Sequence, residues 1–301
     1  MTGSLDDLAA RVETGAPLSD EDIDALSSSR DIIALGMLAN ASRRRIHGSE
    51  VTYVRVADLK VGASGSTEVV PVEPAVPMDL AGEVRLFHTP ATLDAAIAMV
   101  EQAKELAGQI PMSAFCLFEL GKLPEGLPVV LQALKRAGLE SITQAPIDRL
   151  TAPAQALEAL TDAGLRLARL TVNETTERPW TAVCREVAAL QSALRSIRAF
   201  APLARTIDST QPTTGYEDVR RVAISRLIAH NVDTIQVDWA LYGPKLAQVA
   251  LTFGADDIDS VSPQDDESRG HRRSPVEEIH RSIRAAGYEP VERDARFEKH
   301  G

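Results

Sequence analysis

EVRLFHTPATLDAAIAMVEQAKELAGQIPMSAFCLF (83–118) is the stretch that decides the fold. EVRLF sets Val84 and Leu86 at alternate positions, the period of a strand. TPATLDAAIAMVEQAKELAG then repeats its apolar residues every three to four positions, the period of a helix, with Thr89 as N-cap and Pro90 in the first helical position. IPMSAFCLF (110–118) is apolar almost throughout and reads as a second, buried strand. A strand, a helix and a strand within so short a span make a parallel pair with a helix across it.

The same alternation continues outward. GLPVVLQALKRAG, APAQALEALTDAG and PWTAVCREVAALQSALRS read as helices, separated by the strands LESITQA (139–145) and RLARLTVN (166–173). IRAFAPLA (197–204) is a strand before a helix that starts at Tyr216, capped by Thr214 with Glu217 three residues on. TIQVDW (234–239) is a strand before LYGPKLAQVALTFG. Two joints repeat as Ala-Gly-Leu, where Gly138 and Gly164 end a helix and Leu139 and Leu165 begin a buried strand. Upstream, VTYVRVADL from Val51 is the first strand, and residues 1–48 are helical, with Ser19 and Asp22 as a capping pair and Gly48 as a C-cap. Arg43, Arg44 and Arg45 fall in the last turn before Gly48, where they complement the helix dipole and face solvent. KVGASGSTEVVPVEPAVPMDLAG (60–82) has no helical period and reads as a long loop with one short strand at TEVVPV. DDIDSVSPQDDESRGHRRS reads as a polar connection before a last helix, SPVEEIHRSIRAAG, with Ser274 as its cap, Pro275 next and Glu277 completing a capping box.

Such a chain folds as an open doubly wound sheet or as a closed barrel. A dinucleotide-binding sheet carries its glycine-rich turn directly before a helix. Here GASGS has the wrong spacing and no helix follows, so a parallel TIM-type barrel, full or partial, is expected. Its parts are a helical extension (1–48), the barrel (49–240) and a C-terminal helical segment packed on it (241–301).

The 301 residues are 44% hydrophobic and 25% charged, with 43 acidic against 32 basic residues and a net charge of −11. That balance is globular, and its sign argues against a nucleic-acid partner. No apolar run approaches a membrane span, and MTGSLDDLAARVE has no apolar signal core, so a cytoplasmic protein is expected. Only Cys116 and Cys184 could supply thiolates. No histidine pair has metalloprotease spacing, no acidic run matches a calcium loop, and no serine sits in a nucleophile elbow, so no metal site and no catalytic constellation is read.

LSDEDIDALSSSRDIIALGMLANASRRRIHG (18–48), TTGYEDVRRVAISRLIAHNVDTIQVDW (213–239), KLAQVALTFGADDID (245–259) and PVERD (290–294) resemble the aminofutalosine synthase family, radical S-adenosylmethionine enzymes of the futalosine route to menaquinone. A related cyclase of that route and the deazaflavin synthases share weaker versions. The resemblance implies a radical-enzyme barrel. It also implies a cysteine triplet, C-x3-C-x2-C, after the first strand to hold a four-iron cluster. Here that stretch is VRVADLKVGASGSTEV, without cysteine. The family's Gly-Gly after the second strand is replaced by Phe87, His88 and Thr89, and its glycine-rich patch after the fourth by Ser141–Pro146, with Asp148 where the family has Glu. Val172 stands at a family histidine, with Glu174 and Thr175 kept. Ala204-Arg205-Thr206 replaces a Phe-His-Pro segment, and Gly270–Ser274 replaces His-Ala-Ala-Gly.

Both cysteines are therefore read as buried apolar thiols, the iron–sulfur cluster as absent and S-adenosylmethionine as bound weakly or not at all, so no cofactor is expected. Glu119, Asp148, Glu174, Arg205 and Asp238 lie at predicted strand ends and form the candidate pocket. Two readings follow for them: a retained small-molecule site, or internal ion pairs filling the space of the lost cluster. The chain is expected to be a cluster-less accessory of menaquinone biosynthesis, a homo-oligomer or the partner of an active paralogue. The alternatives are a binding protein or non-radical enzyme that uses the old cavity, of transferase or lyase type if active, and last an active aminofutalosine synthase. Loop 60–82 is expected to fold over the emptied mouth or to dock on a partner.

Overall fold

The computed structural model describes residues 5–62, 71–174, 178–206, 214–264 and 275–300. Eight parallel strands close into a barrel: β1 (Glu50–Val61), β3 (Glu83–Leu86), β4 (Met112–Cys116), β5 (Ser141–Pro146), β7 (Leu170–Val172), β8 (Ala199–Ala204), β9 (Thr234–Asp238) and β10 (Asp257–Val261). Each pairs with the next in that order, and β10 returns to β1 through Thr52–Asp257 and Tyr53–Ile258. The helices α4 (Leu93–Ala107), α6 (Leu127–Arg136), α7 (Pro153–Asp162), α8 (Trp180–Leu194), α9 (Gly215–Ile228) and α10 (Trp239–Thr252) alternate with the strands, as the periodicity predicts. The one-turn helix α5 (Leu117–Leu120) follows β4, so the strand read over 110–118 is shorter than expected.

The N-terminal extension is three helices, α1 (Leu5–Thr14), α2 (Asp20–Ser28) and α3 (Ile32–His47). Ser19 caps α2 in a full capping box with Asp22. Leu35 and Ala39 of α3 are buried, and α3 packs mainly against α9.

Several local expectations are corrected. Thr92, not Thr89, caps α4: its side chain accepts the Ala95 N–H, and the helix begins at Leu93. RLARLTVN divides into β6 (Arg166–Leu167) and β7. Gly243, with φ of 75°, interrupts α10 just before Pro244. Arg43 does not face solvent. It is buried, donates to the carbonyls of Gly48 and Glu50, and lies 3.9 Å from the Tyr288 ring centroid, so it ties α3 to the start of β1.

The largest correction concerns DDIDSV. It is not a polar connection but the barrel's eighth strand, so the barrel runs past residue 240. Its turn depends on Gly254 (φ 104°), where a Cβ would stand 2.9 Å from Arg226 Cβ. Beyond it, α11 (Pro275–Ala285) leads into β11 (Glu289–Arg293), which adds parallel to the start of β1, and β12 (Lys299–His300) pairs back on β11. The Ser274 cap lies outside the described residues.

Of loop 60–82, β2 (Val72–Pro74) pairs antiparallel with the end of β1, and Ala75 and Val76 reach the barrel mouth. The rest of the TEVVPV strand lies outside the described residues. No helix among the described residues is long and apolar enough to cross a membrane.

Candidate functional site at the barrel mouth

Strands in a parallel barrel point alternate side chains inward, and here the inward set is charged. Glu83 and Arg85, two apart on β3, share a two-pronged ion pair (2.9 and 2.8 Å). Arg85 also reaches Asp259 on β10 at 2.8 Å, and Arg169, just before β7, reaches the same carboxylate. Strands β8 and β9 stand between β7 and β10, so the Arg169–Asp259 contact spans the lumen. Ser113 of β4 donates to Glu83 (2.5 Å), and Thr143 of β5 donates to Ser113 (3.0 Å). At the N-terminal end Asp257 takes two hydrogen bonds from Arg293 of β11 (2.6 and 2.7 Å) and one from Gln236 of β9 (2.8 Å). The interior is thus a layered ion-pair network.

The network sets its members' ionisation. Burial opposes charge on Asp259, but Arg169 and Arg85 outweigh it and hold its carboxyl well below the usual range. Burial opposes charge on Glu83 too, and Arg85 overcomes it. Arg169 is pushed down to about 10, by burial first and by neighbouring Arg85 second.

Above this network, at the C-terminal ends of the strands, the barrel is open. One cavity of about 600 Å³ is lined by Asp58, Arg85, Arg169, Arg205, Asp238 and Ser260, with Ala75 and Val76 at its edge. A second, of about 440 Å³, is lined by His88, Cys116, Phe118, Glu119, Gln144 and Asn173. Phe87, 55% exposed, lines both. Two buried polar atoms on these walls have no protein partner: Arg169 Nε in the first cavity and Gln144 Oε1 in the second. Burial raises the pKa of Asp58, although Arg85 pulls the other way. Ser260 holds φ at 60°, and its hydroxyl lies 3.0 Å from Asp238 and 3.2 Å from Asp259.

The five residues picked from sequence divide. Arg205 and Asp238 meet in an ion pair of 2.5 Å on the first cavity, and Asp238 also caps α10 through the Leu241 N–H (2.9 Å). Glu119 lines the second cavity, paired with Lys122 at 2.6 Å. Asp148 binds the amides of Asn173 (2.7 Å) and Glu174 (3.0 Å), which makes it a clamp on the loop after β7. Glu174 is exposed and accepts from the Asn173 side chain (3.0 Å). Glu83, Arg85, Arg169 and Asp259 were not anticipated. The signal was present in Glu83-x-Arg85 and Asp257-x-Asp259, charges at the two-residue spacing of a single strand face.

The family resemblance implies a cluster bound by three thiolates, and the two cysteines present do not fit it. Cys116 ends β4, while Cys184 lies in the helical layer with its Sγ 3.6 Å from Ser225 Oγ on α9. Burial raises both thiols, Cys184 to about 12. Among the described residues no group of three or more His, Cys, Asp or Glu side chains could hold a metal ion.

The closed parallel barrel, with its cavities at the strand C-termini, is a TIM-type barrel. Methylornithine synthase superposes on it with a TM-score of 0.64 at 14% identity, covering 94% of this chain and 97% of that one. The FeFe-hydrogenase maturase HydG from Carboxydothermus hydrogenoformans does so at 0.62 and 12%, covering 95% and 79%. Residues 199–300 match the family described as the CofH/MqnC C-terminal region. Aminodeoxyfutalosine synthase of Streptomyces coelicolor is 37% identical over 95 residues, 30% of this chain and 24% of its own length. A 5-amino-6-(D-ribitylamino)uracil–L-tyrosine 4-hydroxyphenyl transferase of Methanosarcina barkeri is 43% identical over 94 residues, 29% and 24%. The chain thus spans about a quarter of the length of the curated relatives it matches. The likeness to these relatives and to the CofH/MqnC C-terminal region is thus one of the C-terminal third of the chain.

Proposed function

We infer that the protein is a cluster-less, non-radical relative of aminofutalosine synthase that binds a small polar molecule at its barrel mouth, as an accessory of the menaquinone route. One observation carries this reading: the cavity of about 600 Å³ over the Arg85–Asp259–Arg169 network, with its partnerless Arg169 Nε. A cavity of that size fits a drug-sized molecule. Were the ion pairs merely filling lost space, they would close the mouth; instead they form its floor. Arg205 and Ser260 offer donors on the wall, Asp58 and Asp238 offer acceptors, and Phe87 offers an apolar face. Such a mixed wall suits a hydroxylated or heterocyclic compound better than a simple anion.

The names of the relatives supply the compounds to try. Native mass spectrometry with aminodeoxyfutalosine and with 5-amino-6-(D-ribitylamino)uracil should show a one-to-one complex with one of them, lost in Arg205→Ala. Anaerobic reconstitution should leave the protein without iron. Stoichiometric four-iron content, or no complex with either compound, would overturn the reading.

A further inference from the structure

A third cavity, of about 480 Å³, opens at the opposite end of the barrel, where the strands begin. It lies among β6, the end of α8, the start of β8 and the loop before β12. Its lining includes the apolar Leu165, Leu194 and Ile197, the guanidiniums of Arg166, Arg195, Arg198 and Arg296, and the Asp233 carboxylate. On a chain of net charge −11, four guanidiniums about one cavity are a local reversal of sign.

Two of the four are already matched. Arg296 holds Glu140 through two bonds of 2.9 Å, and Arg198 lies 3.6 Å from Asp233. Arg166 and Arg195 form no ion pair among the described residues, although Arg166 is near enough to Glu140 to help lower its pKa. The Ser196 hydroxyl, buried in the wall between Arg195 and Ile197, has no partner either.

Backbone strain gathers at the same place. Four non-glycine residues among those described hold positive φ, and two of them, Arg195 (51°) and Phe297 (63°), line this cavity. A side chain other than Gly or Asn in that region is disfavoured. Arg195 ends α8 there, a position glycine would fill without steric cost. The strained cap sets an arginine beside the cavity. Strain of this kind concentrates where ligands are held.

We propose that this cavity is a binding site for a phosphate monoester with a small apolar body, held by Arg195, Arg166 and the Ser196 hydroxyl. The two unpaired guanidiniums match the two charges of such a dianion, and guanidinium forks suit phosphate oxygens. The apolar lining residues Leu165, Leu194 and Ile197 take the body. The site is independent of the mouth, at the far end of the barrel.

Calorimetric titration with phenyl phosphate at pH 8 and low salt tests it. The wild-type protein should bind the probe, and Arg195→Gly should weaken it at least tenfold, the loss of one charge-assisted contact. Because glycine adopts the same left-handed cap, that variant keeps its fold, which a thermal melt checks; Ser196→Ala should weaken binding by a smaller factor. Arg205→Ala, at the mouth, should leave binding unchanged. Absence of binding by the wild type, equal binding by Arg195→Gly, or a loss confined to Arg205→Ala would each overturn the proposal.

Discussion

Replacing Asp259 with Asn removes one negative charge from the centre of the lumen without changing its shape. In the native protein this carboxylate accepts from Arg85 at 2.8 and 3.3 Å and from Arg169, and all three side chains are almost fully buried. Without it, two buried guanidiniums share only Glu83. Breaking a buried pair by removing one partner costs about 3–5 kcal/mol, a large part of the roughly 5–15 kcal/mol that a folded domain commands. For a chain of this length about 2 °C follows each kcal/mol, so the melting temperature should fall by roughly 6–10 °C.

The pH dependence has a definite sign. The folded Asp259 carboxyl titrates well below its usual value, so its contribution is fully present above the unfolded pKa of about 3.9. It is lost as the pH falls below that value toward the folded pKa. Urea titrations followed by circular dichroism, from pH 7 down to pH 3, should show a steeper acid loss for wild type than for Asp259→Asn. Adding Arg169→Met should cost less in the Asn background than alone, because it then removes an uncompensated charge. A single-variant loss below about 1 kcal/mol at pH 7, or strict additivity, would refute the network as a coupled unit.

Other expectations are simpler to check. Both thiols should resist Ellman's reagent in the native protein at pH 8 and react fully in guanidinium, since burial raises both and sets Cys184 at about 12; rapid labelling of either in the folded state would contradict the burial. The His280 ring, 2.9 Å from the Tyr53 hydroxyl, should titrate below its ordinary 6.5, because burial and then Arg284 disfavour its charge; an NMR midpoint at or above 6.5 would show this wrong. S-adenosylmethionine should bind with a dissociation constant weaker than about 100 μM, since losing several charge-assisted contacts costs at least a few hundredfold; calorimetry giving a low-micromolar value would count against the non-radical reading. Deleting residues 71–76 should lower the melting temperature, because it removes buried Val72 and the β2 pairing that covers the end of β1; an unchanged melt would mean that the hairpin adds no stability.

Most of the barrel was legible because its strands are apolar and its helices amphipathic, each in its own period. The failures share a cause. DIDSV looks like a solvated linker because Asp257 and Asp259 alternate through it, yet their pairing with Arg293, Arg85 and Arg169 makes a buried strand of it. The three arginines come from β3, the edge of β7 and β11, and no local window contains them together. Asp148 illustrates the opposite error. It occupies the place of a family acid, but its two bonds to backbone amides are a local geometry that spacing does not reveal. Arg205 and Asp238 could be found because each stands alone at the end of an apolar strand. The region that matches the CofH/MqnC C-terminal family, 199–300, begins at β8 and holds three of the eight barrel strands, so it is a wedge of the barrel and not a unit with a core of its own.

The seam at β1 has a consequence for synthesis. Its first half waits for β10, and the Thr52 hydroxyl that bonds Asp257 belongs to a residue made 205 positions earlier. On a ribosome adding about 5–20 residues each second, that interval is roughly 10–40 s. Throughout it the emerging chain presents the bare flank of its longest strand, Glu50–Val61, to every other polypeptide nearby. The half-made protein is therefore the vulnerable species, and its yield in a cell should depend on chaperones that shield that flank far more than the stability of the finished barrel would imply.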